Sequence, residues 1–253
     1  MKFYFLSLLI YFLCNQQIFC SQQEYIAISL GYRCQVAQQL GFNGLRTAAY
    51  PFDWLITPFN SLYKLIDFEF VDFFDKKNLQ LRTHFYYEDD GGHLRDPRYL
   101  HVWEKKYNVL FRHHFQFNEN YLDAYDIIRE KYKRRIQRFY DTLRSGKYIY
   151  FFRRVITKKQ AIILTDLIGK KFPELAYTLV AIDYTQEVQE KWDIPNVRNY
   201  YLPIPVPYDR DGDHAKWWEI FNDLGLIPDN VKPFLEKDFM EFRLTSVEKM
   251  HKG

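Results

Sequence analysis

The sequence predicts an α/β protein, a mixed or mostly parallel sheet flanked by helices in a single domain, and three observations carry that expectation. Tyr25 to Leu30 is an apolar run that meets Gly31 and gives way to a helix-like stretch from Gln35 to Leu40, the pattern of a buried strand turning into a helix. The carboxy-terminal half alternates strand and helix patterns, which implies crossovers between parallel strands. The 253 residues are 47% hydrophobic and 19% aromatic, enough to build one sizeable core.

The elements follow in order. Thr57-Pro58 reads as a helix N-cap and first helical residue, opening a helix with Leu62, Leu65 and Ile66 on one face. Phe68, Phe70, Phe73 and Phe74 are expected in the core. From Asp89 to Pro97 the chain is loop-like, and Tyr107 to Phe115 reads as a strand. Ile128, Tyr132, Ile136, Phe139 and Leu143 recur at helical spacing between Tyr125 and Arg144, and Gly146 ends that helix. Its other face carries Arg129, Lys133, Arg134 and Arg138, a solvated face by default and a phosphate-binding face in the alternative. Tyr148 to Val155 is strand-like, Lys158 to Phe172 helical, and Tyr177 to Asp183 and Val197 to Pro203 strand-like again. A helix near His214 to Leu224 closes the pattern.

Residues 1–20 read as a signal peptide and residues 21–253 as the single α/β domain. Lys2 precedes the apolar run Phe3 to Leu13, too short to span a bilayer and of the right length for a secretory leader. A secreted or periplasmic protein is therefore expected, with an uncleaved anchor as the alternative and no stable membrane span once the leader is removed. Cys14 and Cys20 lie in the leader, so the mature chain keeps Cys34 alone and no internal disulfide. A formal charge of +3 gives no reason to expect a nucleic acid partner. No phosphate-cradling or dinucleotide glycine motif occurs, so no cofactor is expected. His84, His93 and His101 lack metal spacing, and Asp209 to Asp213 fails as a calcium loop because His214 and Ile220 stand where Gly and Glu are needed. Asp213 reads instead as a helix N-cap.

Chemistry centres on Cys34. It stands where unpaired backbone N–H groups and the positive end of the helix dipole favour a thiolate, although a lone cysteine also serves as a small buried hydrophobe. A thiolate needs a base, and the Tyr107–Phe115 strand offers His113 and His114, which alternation sends to opposite faces. Asp183, at a parallel strand's end, is the candidate orienter of the imidazole, with Asp53 its competitor. Arg33, Arg153 and Trp54 are candidates for holding a substrate.

Three words, Ser29-Leu30-Gly31-Tyr32-Arg33-Cys34-Gln35-Val36-Ala37, Gly44-Leu45-Arg46 and Pro51-Phe52-Asp53-Trp54-Leu55-Ile56-Thr57-Pro58, closely resemble those of a bacterial family of uncharacterised papain-like cysteine peptidases. The likeness continues at Tyr107 to Phe115 and from Tyr132-Lys133-Arg134-Arg135-Ile136 through Phe151-Phe152-Arg153. It implies a nucleophile at Cys34 and a base at His113. The family word carries Gly after the Tyr and an acid after the His, where this chain has Asn108 and His114. The Cys-Gly-Ser/Ala-Cys-Trp/Tyr word of papain is absent, and no Gln precedes Cys34 closely as an oxyanion donor.

The favoured reading is a thiol hydrolase acting on an amide or ester bond of a peptide or small-molecule substrate, on a Rossmann-like or loosely papain-like fold. The rival is a Rossmann-like sugar- or phosphate-handling transferase in which Arg33 and Arg153 hold an anion and Cys34 only packs. A silent binding protein is the third possibility.

Overall fold

The computed structural model describes residues 24–82, 99–116, 120–184, 190–203 and 212–227. The leader, His84, His93 and Asp209 to Asp211 lie outside the described residues. Two four-stranded sheets form. The first is wholly parallel and takes the order β1 (Tyr25–Ser29), β6 (Tyr148–Arg154), β7 (Tyr177–Tyr184), β8 (Val197–Leu202). The second is antiparallel, in the order β2 (Leu55–Ile56), β5 (Val109–Gln116), β4 (Tyr99–Glu104), β3 (Leu79–Leu81). The α/β expectation holds, and the antiparallel sheet is an addition to it, inserted between two strands that lie side by side in the parallel sheet. Five α-helices are present among the described residues: α1 (Gln35–Phe42), α2 (Phe59–Asp67), α3 (Tyr125–Leu143), α4 (Lys158–Lys171) and α5 (His214–Asp223).

The parallel strands read as continuous apolar runs because both of their faces are covered. Ile28, Phe151, Leu179 and Ala181 face a core built with α2, α3, α4 and the antiparallel sheet. Their neighbours Ala27, Phe152, Val180 and Ile182 face a second core with Val36 and Leu40 of α1 and Trp217 and Phe221 of α5. The larger core is rich in rings: Phe74 stacks on Tyr125 at 5.6 Å, and Phe111 meets Tyr132 edge-on at 5.2 Å. Phe70 and Phe74 are buried as expected, whereas Phe68 is exposed.

Local capping follows the chemistry of each end. Asp213 caps α5 by accepting from Lys216 N, as the sequence suggests. Thr157 and Gln160 form a reciprocal capping box at the start of α4. Thr57 does not cap α2; Pro58 takes the cap position and the helix begins at Phe59. The reason is that the Thr57 backbone is engaged elsewhere, its N–H donating to Tyr32 O and its carbonyl accepting from Arg153. Asn108 has φ 56, in the left-handed region that Asn tolerates better than most residues.

Glu104, at the end of β4, is fully buried and accepts from Tyr107 N at 2.7 Å. Burial pushes its carboxyl up from 4.5 to about 7. The folded protein therefore holds a proton that the unfolded chain releases, so this group's contribution to stability is full below pH 4.5 and is lost as pH rises through about 7. Glu104→Gln is expected to flatten that part of the profile in urea unfolding between pH 4 and 8. An unchanged slope would contradict the assignment.

Candidate active site

The turn that delivers Cys34 is pinned along its backbone. Leu30 N donates to Phe152 O, Gly31 N to Ser29 Oγ, Arg154 N to Gly31 O and Thr57 N to Tyr32 O. Arg153, with no exposed surface, donates from Nη1 to Leu30 O at 2.7 Å and from Nη2 to Thr57 O at 2.8 Å. Its guanidinium also lies 5.8 Å from the Tyr32 ring centre. Gly31 sits at φ 85, and a Cβ there would come within 3.0 Å of Arg153 Nη1, so glycine suits both the conformation and the close approach. Burial lowers Arg153 to about 9, and the guanidinium remains charged at neutral pH.

Cys34 itself occupies the N-cap of α1, half-buried, with helical φ −63 and ψ −22 and its carbonyl accepting from Gln38 N. The Cys34 side chain makes no cap hydrogen bond to this end and the first turn of α1 contains no acid, so the positive end of the helix dipole falls at Cys34. The next residue, Gln35, is buried and accepts from Tyr184 Oη at 3.1 Å, while Trp217 Nε1 donates to the same hydroxyl. A Cβ on Gly212 would meet Gln35 Nε2 and Tyr184 Oη at 2.7 Å, which explains that glycine. Further along α1, Gln39 bonds His214 Nδ1 at 3.0 Å. Sequence reading missed this Gln35–Tyr184–Trp217 and Gln39–His214 layer. Polar residues at the 35 and 39 positions of an otherwise apolar helix were its one signal.

The histidines occupy an irregular part of β5. Leu100 pairs with Phe115 and Val102 with Phe111, so Arg112, His113 and His114 lie opposite His101 alone. The two imidazoles that follow one another across this bulge meet different neighbours. His113 packs against Tyr99 at 5.7 Å. His114 packs against Phe111 and bonds Tyr132 Oη through Nε2 at 3.1 Å, and burial lowers its pKa well below the usual value.

The candidate acids lie in different places. Asp183 is the penultimate residue of β7, opposite Tyr201, and accepts from its neighbour Tyr184 N. Asp53 is buried, and its Oδ2 accepts from Arg46 Nε and Nη2 and from Tyr50 N. Burial raises the Asp53 pKa against the opposing pull of Arg46. Asp53 belongs to the antiparallel-sheet side, since it also feels Arg135 and acts on Tyr132, the partner of His114. Trp54 lies beneath Arg46 at 5.4 Å, and Arg33 lies 5.2 Å from the Tyr32 ring. Among the described residues no cluster suited to a metal ion occurs.

These words of sequence are those of a known family. Residues 25–186 match the family described as "Putative papain-like cysteine peptidase (DUF1796)", and the chain belongs to it. The matched span runs from β1 past the end of β7. A curated relative, "Uncharacterized protein R408" of Acanthamoeba polyphaga mimivirus, is 32% identical over 133 residues, which cover 50% of this chain and 60% of the relative. The chain thus spans about 60% of the length of that relative, which is viral, so the family membership stands without the bacterial attribution. No solved structure matches the chain.

Arg153→Met would leave the Leu30 and Thr57 carbonyls without their buried charged donor. The expected loss is about 3 kcal/mol of stability in urea unfolding, from charge-assisted bonds of about 1.5–3 kcal/mol each. A loss below about 1 kcal/mol would show that the turn does not depend on Arg153.

Proposed function

We propose that the protein is a thiol hydrolase that cleaves an amide or ester bond, with Cys34 as nucleophile and His113 as its base. The observation that supports this most is the station of Cys34, at the N-cap of α1 on a turn whose backbone is held from three sides. His113 takes the Sγ proton and the thiolate attacks the substrate carbonyl carbon. Backbone N–H groups in the first turn of α1 receive the oxyanion, in place of the glutamine that papain places before its cysteine. The proton passes to the leaving amine or alcohol as the acyl bond breaks, and water then hydrolyses the thioester. Asp183 is proposed to orient the imidazole, with Asp53 as its competitor; Arg33 and Trp54 are proposed to contact substrate.

A second reading is favoured by the parallel sheet. Gly31 and Arg33 follow the carboxyl end of β1, where open α/β sheets gather ligands, so a transferase would use this turn as a binding loop. Arg153, without exposed surface and with Nη1 and Nη2 each bonded to a backbone carbonyl, would then act through the turn.

Mutation separates the two. Screening fluorogenic peptide amides and acyl esters, Cys34→Ala and His113→Ala are each expected to lower turnover by about three orders of magnitude, with no further loss when combined. Full activity in Cys34→Ala, with loss in Arg33→Ala, would overturn the hydrolase in favour of the transferase. We also propose export, on the strength of the apolar leader. Intact-mass measurement of protein recovered outside the cytosol is expected to show loss of roughly twenty residues, and a full-length cytosolic product would contradict it.

A further inference from the structure

The helix α3 turns a second, partly buried basic face toward the β5 bulge. Lys131 and Arg135 are four residues apart, so they share that face, where like charges repel unless something negative lies between them. Tyr132 links them to the sheet: its ring lies 5.4 Å from the Arg135 guanidinium, and its hydroxyl bonds His114 Nε2. Both cations act on His114. Among the described residues neither Lys131 nor Arg135 has an ion pair, and Arg135 Nη1 and His114 Nδ1 are buried without a partner. Asp53 acts on Arg135 and Tyr132, but its Oδ2 is already taken by Arg46 and Tyr50 N.

The hydrogen positions follow from this arrangement. Arg135 has only donors to offer the Tyr132 oxygen, and burial keeps that phenol protonated, so the hydroxyl hydrogen points to His114 Nε2. A neutral His114 then carries its own hydrogen on Nδ1. The buried unsatisfied groups are therefore both donors, His114 Nδ1–H and Arg135 Nη1–H, and the partly exposed Lys131 ammonium adds a third on the same face. An acceptor-only ligand with several oxygens satisfies such a set, and a tetrahedral one suits donors arriving from a strand and from two turns of a helix.

We propose that His114, Lys131 and Arg135 form a binding site for an oxyanion of the phosphate class. The site differs from the solvated face of α3, where Arg129, Lys133 and Arg134 are exposed, Lys133 pairs with Glu130, and Arg138 bonds Ala49 O. It stands independently of any role for Cys34.

Calorimetric titration of the full chain with inorganic phosphate, at fixed ionic strength, tests it. Saturable binding at one site is expected, weakened about tenfold or more by Lys131→Met and by Arg135→Gln. Lys133→Met and Arg129→Gln, which remove the same charge from the exposed face, are expected to change affinity less than twofold. Phenyl phosphate distinguishes the source: binding of both compounds assigns phosphate esters, and binding of inorganic phosphate alone assigns the free anion. Lys131→Met alters a partly exposed side chain and carries the comparison if Arg135→Gln fails to fold. Absence of saturable binding to the wild-type chain, or equal losses in the two pairs of variants, would overturn the proposal.

Discussion

A single buried guanidinium governs how the two sheets meet. Arg153 reaches from β6 across the end of β1 and bonds the carbonyls of Leu30 and Thr57, so it fastens the turn after β1 to the residue that follows β2. A charge without exposed surface is costly unless well bonded; here Nη1 and Nη2 bond backbone carbonyls just beyond the ends of β1 and β2, while Nε is buried without a partner. The inserted antiparallel sheet is tied at this point to the parallel sheet. The direction from which Cys34 leaves the turn follows from the same clasp.

The words shared with the family become intelligible as parts of that clasp. Ser29 supplies the hydroxyl for Gly31 N, Gly31 makes room for Arg153, and Tyr32 lies beside the guanidinium. Arg46 and Asp53, which belong to two separate words, bind one another, and Trp54 packs beneath Arg46. Much of the motif therefore holds a scaffold together, and Cys34 is the part of it that stands at the start of α1.

What could be read from sequence was whatever repeats at a fixed period or sits beside a glycine. The apolar runs of β1, β6 and β7 and the spacing of α3 fall within a residue or two of their expected bounds, because burial on both faces of a sheet, or on one face of a helix, imposes the pattern locally. The antiparallel sheet was legible only at β5. Its partner β2 has two residues and β3 three, too short for alternation to register. The bulge at Arg112 to His114 depends on pairing with β4, a non-local fact that the local sequence pattern does not carry. Arg153 was singled out as a group to hold a substrate or anion; that its partners are carbonyls depends on where β1 and β2 meet.

The hydrolase account rests on a thiol poised to ionise, and the pH dependence of Cys34 alkylation measures that property without a known substrate. Iodoacetamide rates on the native protein are expected to inflect well below the free-thiol value of about 8.5, with the inflection moving upward in His113→Ala. A rate that follows an ordinary thiol, or labelling only after denaturation, would identify Cys34 as a packing residue and contradict the account.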